Sequence, residues 1–119
     1  MFRRFVASLV VAAALVVPGL ASAGNTVGPQ AVSTRVEARK SDFYSVTLKG
    51  GDQASILVTG DGDTDLDCYL MDENGNVVAR DIDKGDTCLL SMTPAWTGQF
   101  RVEVRNLGSM YNRYTIRTN

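Results

Sequence analysis

The sequence predicts an all-β chain, an antiparallel β-sandwich of about eight short strands. Three observations predict it. Apolar and polar residues alternate with a period of two in most segments beyond residue 42. Turn residues interrupt these segments every eight to twelve positions or so, about the spacing of an all-β sandwich. No segment beyond residue 23 keeps the apolar period of about 3.6 that a helix needs. Alternation lets one face of each strand pack on a core while the other meets water.

The elements follow in order. Residues 24–33 (GNTVGPQAVS) are small and polar, broken by Gly28 and Pro29, and read as a flexible lead-in to a domain over 34–119. Residues 34–39 suit a first strand with Val36 inward. Tyr44, Val46 and Leu48 then fall on one face, opposite Phe43, Ser45 and Thr47. Gly50-Gly51-Asp52 turns the chain. Ala54, Ile56 and Val58 form the next inward set, and Leu66, Cys68 and Leu70 the one after. Asn74-Gly75 is a strong two-residue hairpin signal, with both central positions at positive φ in a type I′ turn. Residues 77–80 return. Cys88, Leu90 and Met92 share a face, as do Phe100, Val102 and Val104, and finally Tyr114, Ile116 and Thr118.

The first 23 residues have the form of a signal peptide. Arg3 and Arg4 precede an uncharged apolar run from Phe5 to Val17, and Ala21-Ser22-Ala23 is a small-residue cleavage site. The run is shorter than the roughly 20 residues a membrane span needs. The expected location is secreted or periplasmic. Cleavage after Ala23 leaves 96 of the 119 residues, with ten bases against thirteen acids and a net charge of −3. The mature chain keeps no basic stripe for nucleic acid and no apolar run for a membrane span.

Export bears on the two cysteines. Cys68 and Cys88 can close a disulfide in an oxidising compartment, or stay as two buried thiols; export favours the bridge. The bridge would join either the two sheets or two neighbouring strands.

The available chemistry is narrow. The chain has no histidine, which excludes Ser-His-Asp and Cys-His arrangements and histidine-bound zinc. It also lacks a phosphate-binding glycine loop. A small hydrolase working through paired aspartates is a remaining enzyme reading, with no evident cleft for it; the chain is expected not to be an enzyme. The positive feature is the segment from Gly60 to Pro94, with nine acids against two bases. Asp61, Asp63 and Asp65 have D-x-D-x-D spacing, but Leu66 stands where an EF-hand needs glycine. Crowded carboxylates repel one another, and either water or a hard cation such as calcium relieves that repulsion. Spacing alone favours a solvated acidic edge.

The succession FYSVTLKGGD, DTDLDCYLMDENGNVVA, TPAWTGQFRVEVRN and YNRYTIRT resembles the bacterial pre-peptidase C-terminal domain family, over roughly residues 40–119. Asp65, Asp67 and Tyr69 match its acidic strand, and Gly98, Phe100, Val102 and Val104 a later one. The resemblance implies a jelly-roll-like sandwich that accompanies secreted peptidases and is related to collagen-binding domains. It also implies a calcium site, with Asp63, Asp65 and Asp67 as candidate ligands and Glu37 as a further one from the N-terminal approach.

Tyr69, Trp96 and Tyr111 are the candidate binding aromatics, since such side chains give large contact area at small entropic cost. Trp96 is more simply a cap over the end of the core. The function expected is an exported, non-catalytic binding or accessory module for an extracellular or envelope protein or a polysaccharide. The alternative is a partner, inhibitor or chaperone of a secreted peptidase.

Overall fold

The alternating runs form eight strands, each antiparallel to its neighbours. They are β1 (Gln30–Val36), β2 (Ser41–Leu48), β3 (Ala54–Thr59), β4 (Leu66–Met71), β5 (Val77–Asp81), β6 (Thr87–Met92), β7 (Gly98–Asn106) and β8 (Asn112–Thr118). They come from a computed structural model that describes residues 24–119; the signal peptide expected over 1–23 lies outside the described residues. Among the described residues there is no helix.

Two four-stranded sheets result, in the orders β1-β8-β3-β6 and β2-β7-β4-β5. The pairs β4–β5, β3–β6, β2–β7 and β1–β8 nest inside one another, so the chain is a long hairpin folded over on itself. That is the topology of an eight-stranded jelly roll. The inward residues meet between the sheets: Val46 and Leu48, Ile56 and Val58, Leu66 and Leu70, Leu90, Val102 and Val104, and Ile116 are all buried. Cys68 on β4 and Cys88 on β6 are bonded, with Cα atoms 6.2 Å apart. The disulfide therefore joins the two sheets, which resolves the open choice between sheets and neighbouring strands.

A polar strut also crosses the core. Tyr44 of β2 and Tyr114 of β8 are hydrogen-bonded through their hydroxyls, and Tyr114 donates to Asp42 Oδ2 at 2.7 Å. Burial, with Tyr44 and Asp42 beside it, pushes the Tyr114 hydroxyl far above its ordinary pKa, so it stays a donor.

Three details differ from the sequence reading. The first strand spans Gln30–Val36, four positions earlier at its start, because it pairs along the whole of β8. The lead-in is drawn into the fold: Thr26 N donates to Thr47 O at 2.9 Å, Lys49 N to Gly24 O at 2.8 Å, and Asn25 is buried. Its contacts run through backbone atoms and the Asn25 side chain, which donates to Thr118 Oγ1 at 3.1 Å, and a polar composition does not reveal them. The hairpin over 72–76 is not type I′, since Asn74 does not have positive φ; only Gly75 does, at 85°. Asp72 N donates to Asn76 O at 2.9 Å and Gly75 N to Asp72 O at 3.0 Å, which makes a three-residue loop with a left-handed glycine. Asp72 decides the outcome, because its Oδ1 accepts from both Asn74 N and Asn76 N at 2.9 Å.

Candidate binding face

The acidic segment forms two loops, 60–65 and 82–86, at one end of the sandwich. They are tied together by Gly60 N to Asp86 O and Leu66 N to Gly85 O, each 2.9 Å. Four of the nine acids are engaged in shaping these loops and the neighbouring turns. Asp61 accepts from Asp63 N at 3.0 Å and Arg113 N at 2.9 Å. The Arg113 N–H is the main cause that holds its carboxyl below the usual range. Asp81 accepts from Asp83 N and Leu89 N. Asp86 accepts from Gly62 N and from the amide of the buried Asn112. Asp72 anchors the β4–β5 hairpin, and Asn76 N holds its carboxyl low.

Two of the remaining carboxylates are partly buried. Asp65 Oδ1 and Asp67 Oδ1 are buried without a hydrogen-bond partner among the described residues. Burial pushes the Asp67 carboxyl up, the Asp65 charge adds to that, and Arg105 opposes it. The four-residue calcium set does not assemble. Among the described residues, no three potential metal-ligating side chains converge. Asp63 is exposed, and Glu37 is an exposed residue paired with Arg35 at 2.9 Å. Calcium takes six to eight or so oxygens, and Asp65 and Asp67 are the acids of this end with a buried oxygen that lacks a partner among the described residues.

The three candidate aromatics lie apart. Tyr69 sits on the outer face of the β2-β7-β4-β5 sheet under the Arg105 guanidinium, 5.1 Å from the ring centre. Arg105 in turn bonds Glu103 at 3.0 Å, and Ser41 donates to the same carboxylate at 2.7 Å. Tyr69 is thus spent within the fold. Trp96, more simply read as a core cap, is 50% exposed in the β6–β7 connection. Its indole packs over Gly98, where a Cβ would stand 3.0 Å from Nε1. Tyr111 precedes β8 and lies between two guanidinium groups, Arg35 at 4.7 Å and Arg113 at 5.6 Å.

Tyr111 borders the outer face of the β1-β8-β3-β6 sheet. The outward residues of β1, β8, β3 and β6 include Arg35, Arg113 and Arg117 and, among the described residues, no acid. Residues 24–119 as a whole carry a net charge of −3. The pairing register sets four hydroxyls in one row across the strands: Ser33 opposite Thr115, Thr115 opposite Thr59, and Thr59 opposite Thr87. Ser33 and Thr115 are hydrogen-bonded at 2.9 Å. A groove of about 400 Å³ lies here, lined by Ser33, Thr59, Gly60, Arg113, Thr115 and Arg117 among others. Gly60 packs closely on Asp86 and Asn112 behind the groove, where a Cβ would collide with both. Arg117 makes no ion pair among the described residues.

Sequence reasoning identified Tyr111 but not the groove. The alternation in β8 places Arg113, Thr115 and Arg117 outward. What gives them meaning is the hydroxyl row, and that depends on pairing with strands far away in the chain.

No family model matches the chain, and no curated protein matches it. Solved structures share its fold. The pre-peptidase C-terminal domain of collagenase from Bacillus anthracis superposes with a TM-score of 0.60 at 13% identity, covering 76% of this chain and 88% of that one. The periplasmic inhibitor of g-type lysozyme PliG from Aeromonas hydrophila gives 0.58 at 9% identity, covering 76% and 84%. The Yersinia pseudotuberculosis-derived mitogen gives 0.58 at 9% identity, covering 77% and 85%. The fold therefore resembles the pre-peptidase C-terminal domain, as the order of sequence motifs implies, and other β-sandwich proteins equally.

Proposed function

We propose that this chain is an exported, non-catalytic binding module. It holds an extracellular or envelope protein or polysaccharide against the outer face of the β1-β8-β3-β6 sheet. One observation carries the reading: a groove lined by hydroxyls and by Arg113 and Arg117, neither of them in an ion pair among the described residues, on a face without acids. Buried polar groups find partners inside a protein, so exposed ones gathered in a concave site are available to a ligand. The lack of histidine and the engagement of both cysteines in a disulfide support a non-catalytic role. The disulfide and the leader-like first 23 residues support export. The test is capture from the native envelope or culture medium. Arg113→Glu with Arg117→Glu should lose the captured partner while keeping the melting temperature. Capture that survives both charge reversals would contradict the reading.

Calcium is a narrower part of the proposal, resting on Asp65 and Asp67. A cation bound only by the folded state must raise Tm. Excess calcium should raise Tm in the native chain and not in Asp67→Asn; no shift in the native chain would remove the metal from the account.

A second reading, a partner or inhibitor of a secreted peptidase, draws on the β7–β8 loop. Leu107, Met110 and Tyr111 are exposed there. The loop is held firmly, since Asn106 Nδ2 donates to Met110 O at 2.8 Å and its Oδ1 accepts from Gly108 N at 2.9 Å. A rigid loop with apolar tips suits insertion into a cleft. Inhibition of a peptidase secreted by the same cells, lost in Leu107→Asp with Met110→Asp, would favour it.

A further inference from the structure

We infer that the ligand of this face is an acidic polysaccharide, a chain of uronate-type sugars lying across the strands along the hydroxyl row. This rests on the reading of the face as the binding surface and names what it takes.

The geometry supplies three kinds of contact in parallel lines. The middle line is Ser33, Thr115, Thr59 and Thr87. Neighbouring strands stand about 4.8 Å apart, so the row is roughly 14 Å long, enough for a few sugar units. Hydroxyls donate and accept, as sugar hydroxyls do. On one side of the row lies Arg117, opposite Leu57 of β3, which in turn faces Leu89 of β6. Leu57 and Leu89 are exposed at 36% and 55% and offer an apolar strip for the C–H face of a sugar ring. On the other side lie Arg113 and, opposite it on β1, Arg35, with Tyr111 between their guanidinium groups.

The arginines decide the charge of the ligand. Arg113 and Arg117 are two residues either side of Thr115, so they flank the row at about 7 Å on each side. A polymer with two-fold screw symmetry projects its carboxylates to alternate sides, one toward each arginine. Guanidinium groups bind carboxylates through paired hydrogen bonds. Arg35 is already bonded to Glu37 at 2.9 Å, which leaves Arg113 and Arg117 as the two recognition groups.

The face also argues against a peptide. Peptides that join a sheet do so at an edge strand, through unpaired backbone groups. This groove centres on β8 and β3, which are paired on both sides, so only side chains are on offer. The acidic rim begins where the groove ends, since Arg113 N is bonded to Asp61. A polyanion is therefore held along the row and repelled beyond Gly60.

The experiment is affinity electrophoresis of the mature chain through gels containing polygalacturonate, a neutral β-1,4-glucan, or poly-glutamate, with calorimetry on oligomers of each. Polygalacturonate alone should retard the native chain. Arg113→Ala and Arg117→Ala should each weaken it about tenfold, the loss of one charge-assisted bond. Thr59→Val with Thr115→Val, which keeps the charges and the strand shape, should weaken it too. Equal retardation by poly-glutamate, lost in the same arginine variants, would overturn the polysaccharide and leave the binding face standing. Retardation by the neutral glucan alone would overturn the charge argument. Failure of all three polymers, with capture of an envelope protein still dependent on Arg113 and Arg117, would overturn this inference only. Retardation by polygalacturonate that neither arginine variant weakens would overturn both the ligand and the face.

Discussion

Asn112 holds the acidic end of the molecule together. It is fully buried. Its amide donates to Asp86 Oδ2 at 3.0 Å and Thr64 Oγ1 at 3.1 Å, and its Oδ1 accepts from Asp61 N at 3.2 Å. Asn112→Leu should lower stability by about 2 kcal/mol in urea denaturation, because it strands these partners. Asp67 works in the opposite direction. Its pKa is raised above the ordinary value of 3.8, so the folded state holds the proton more tightly than the unfolded chain. It costs nothing at pH values well below 3.8 and becomes destabilising as pH rises through the raised folded value. Asp67→Asn should therefore raise Tm at neutral pH, and the gain should vanish in strong acid. An unchanged Tm at neutral pH would contradict this. Asp61 and Asp72 have lowered values, so their support is present above 3.8 and is lost as pH falls through the lowered folded values. The sequence showed that these acids are crowded. It could not show that Asp61, Asp81 and Asp86 bond the backbone N–H groups of Arg113, Leu89 and Gly62, because those partners come from other elements.

At the scale of elements, the strands with clean alternation were legible: β2, β3, β4, β7 and β8 bury the residues their patterns assign inward. The first strand was less so. Its pattern is weak, and its place is set by β8, more than seventy residues away. The hairpin was legible in position and misread in kind. Gly75 alone carries the left-handed conformation there, and Gly75→Ala should cost about 1 kcal/mol by chemical denaturation. Asn74→Ala should cost much less, since Asn74 does not have positive φ. A larger loss at Asn74 than at Gly75 would restore the type I′ turn. The binding groove was illegible for the same reason as β1: hydroxyls on four strands become one row only through register.

Across the whole molecule, two features divide the work. The disulfide pins one sheet to the other across a sequence separation of 20 residues. A loop of that size contributes about 3 kcal/mol in the chain-entropy account, or on the order of 15 °C in Tm for a domain this small. Cys68→Ser with Cys88→Ser should show that loss by calorimetry. Charge is the second feature. The loops over 60–65 and 82–86 gather five acids at one end, and one sheet face keeps three arginines and, among the described residues, no acid. On the proposed reading, this asymmetry would steer an anionic partner to the face and away from the rim. The most direct measurement is a ¹H–¹⁵N chemical-shift map of the mature chain titrated with oligogalacturonate or with the captured partner. The largest shifts should fall on Ser33, Thr59, Arg113, Thr115 and Arg117. Shifts confined to the acidic loops, or to Phe43 and Tyr69 on the opposite sheet, would contradict the account.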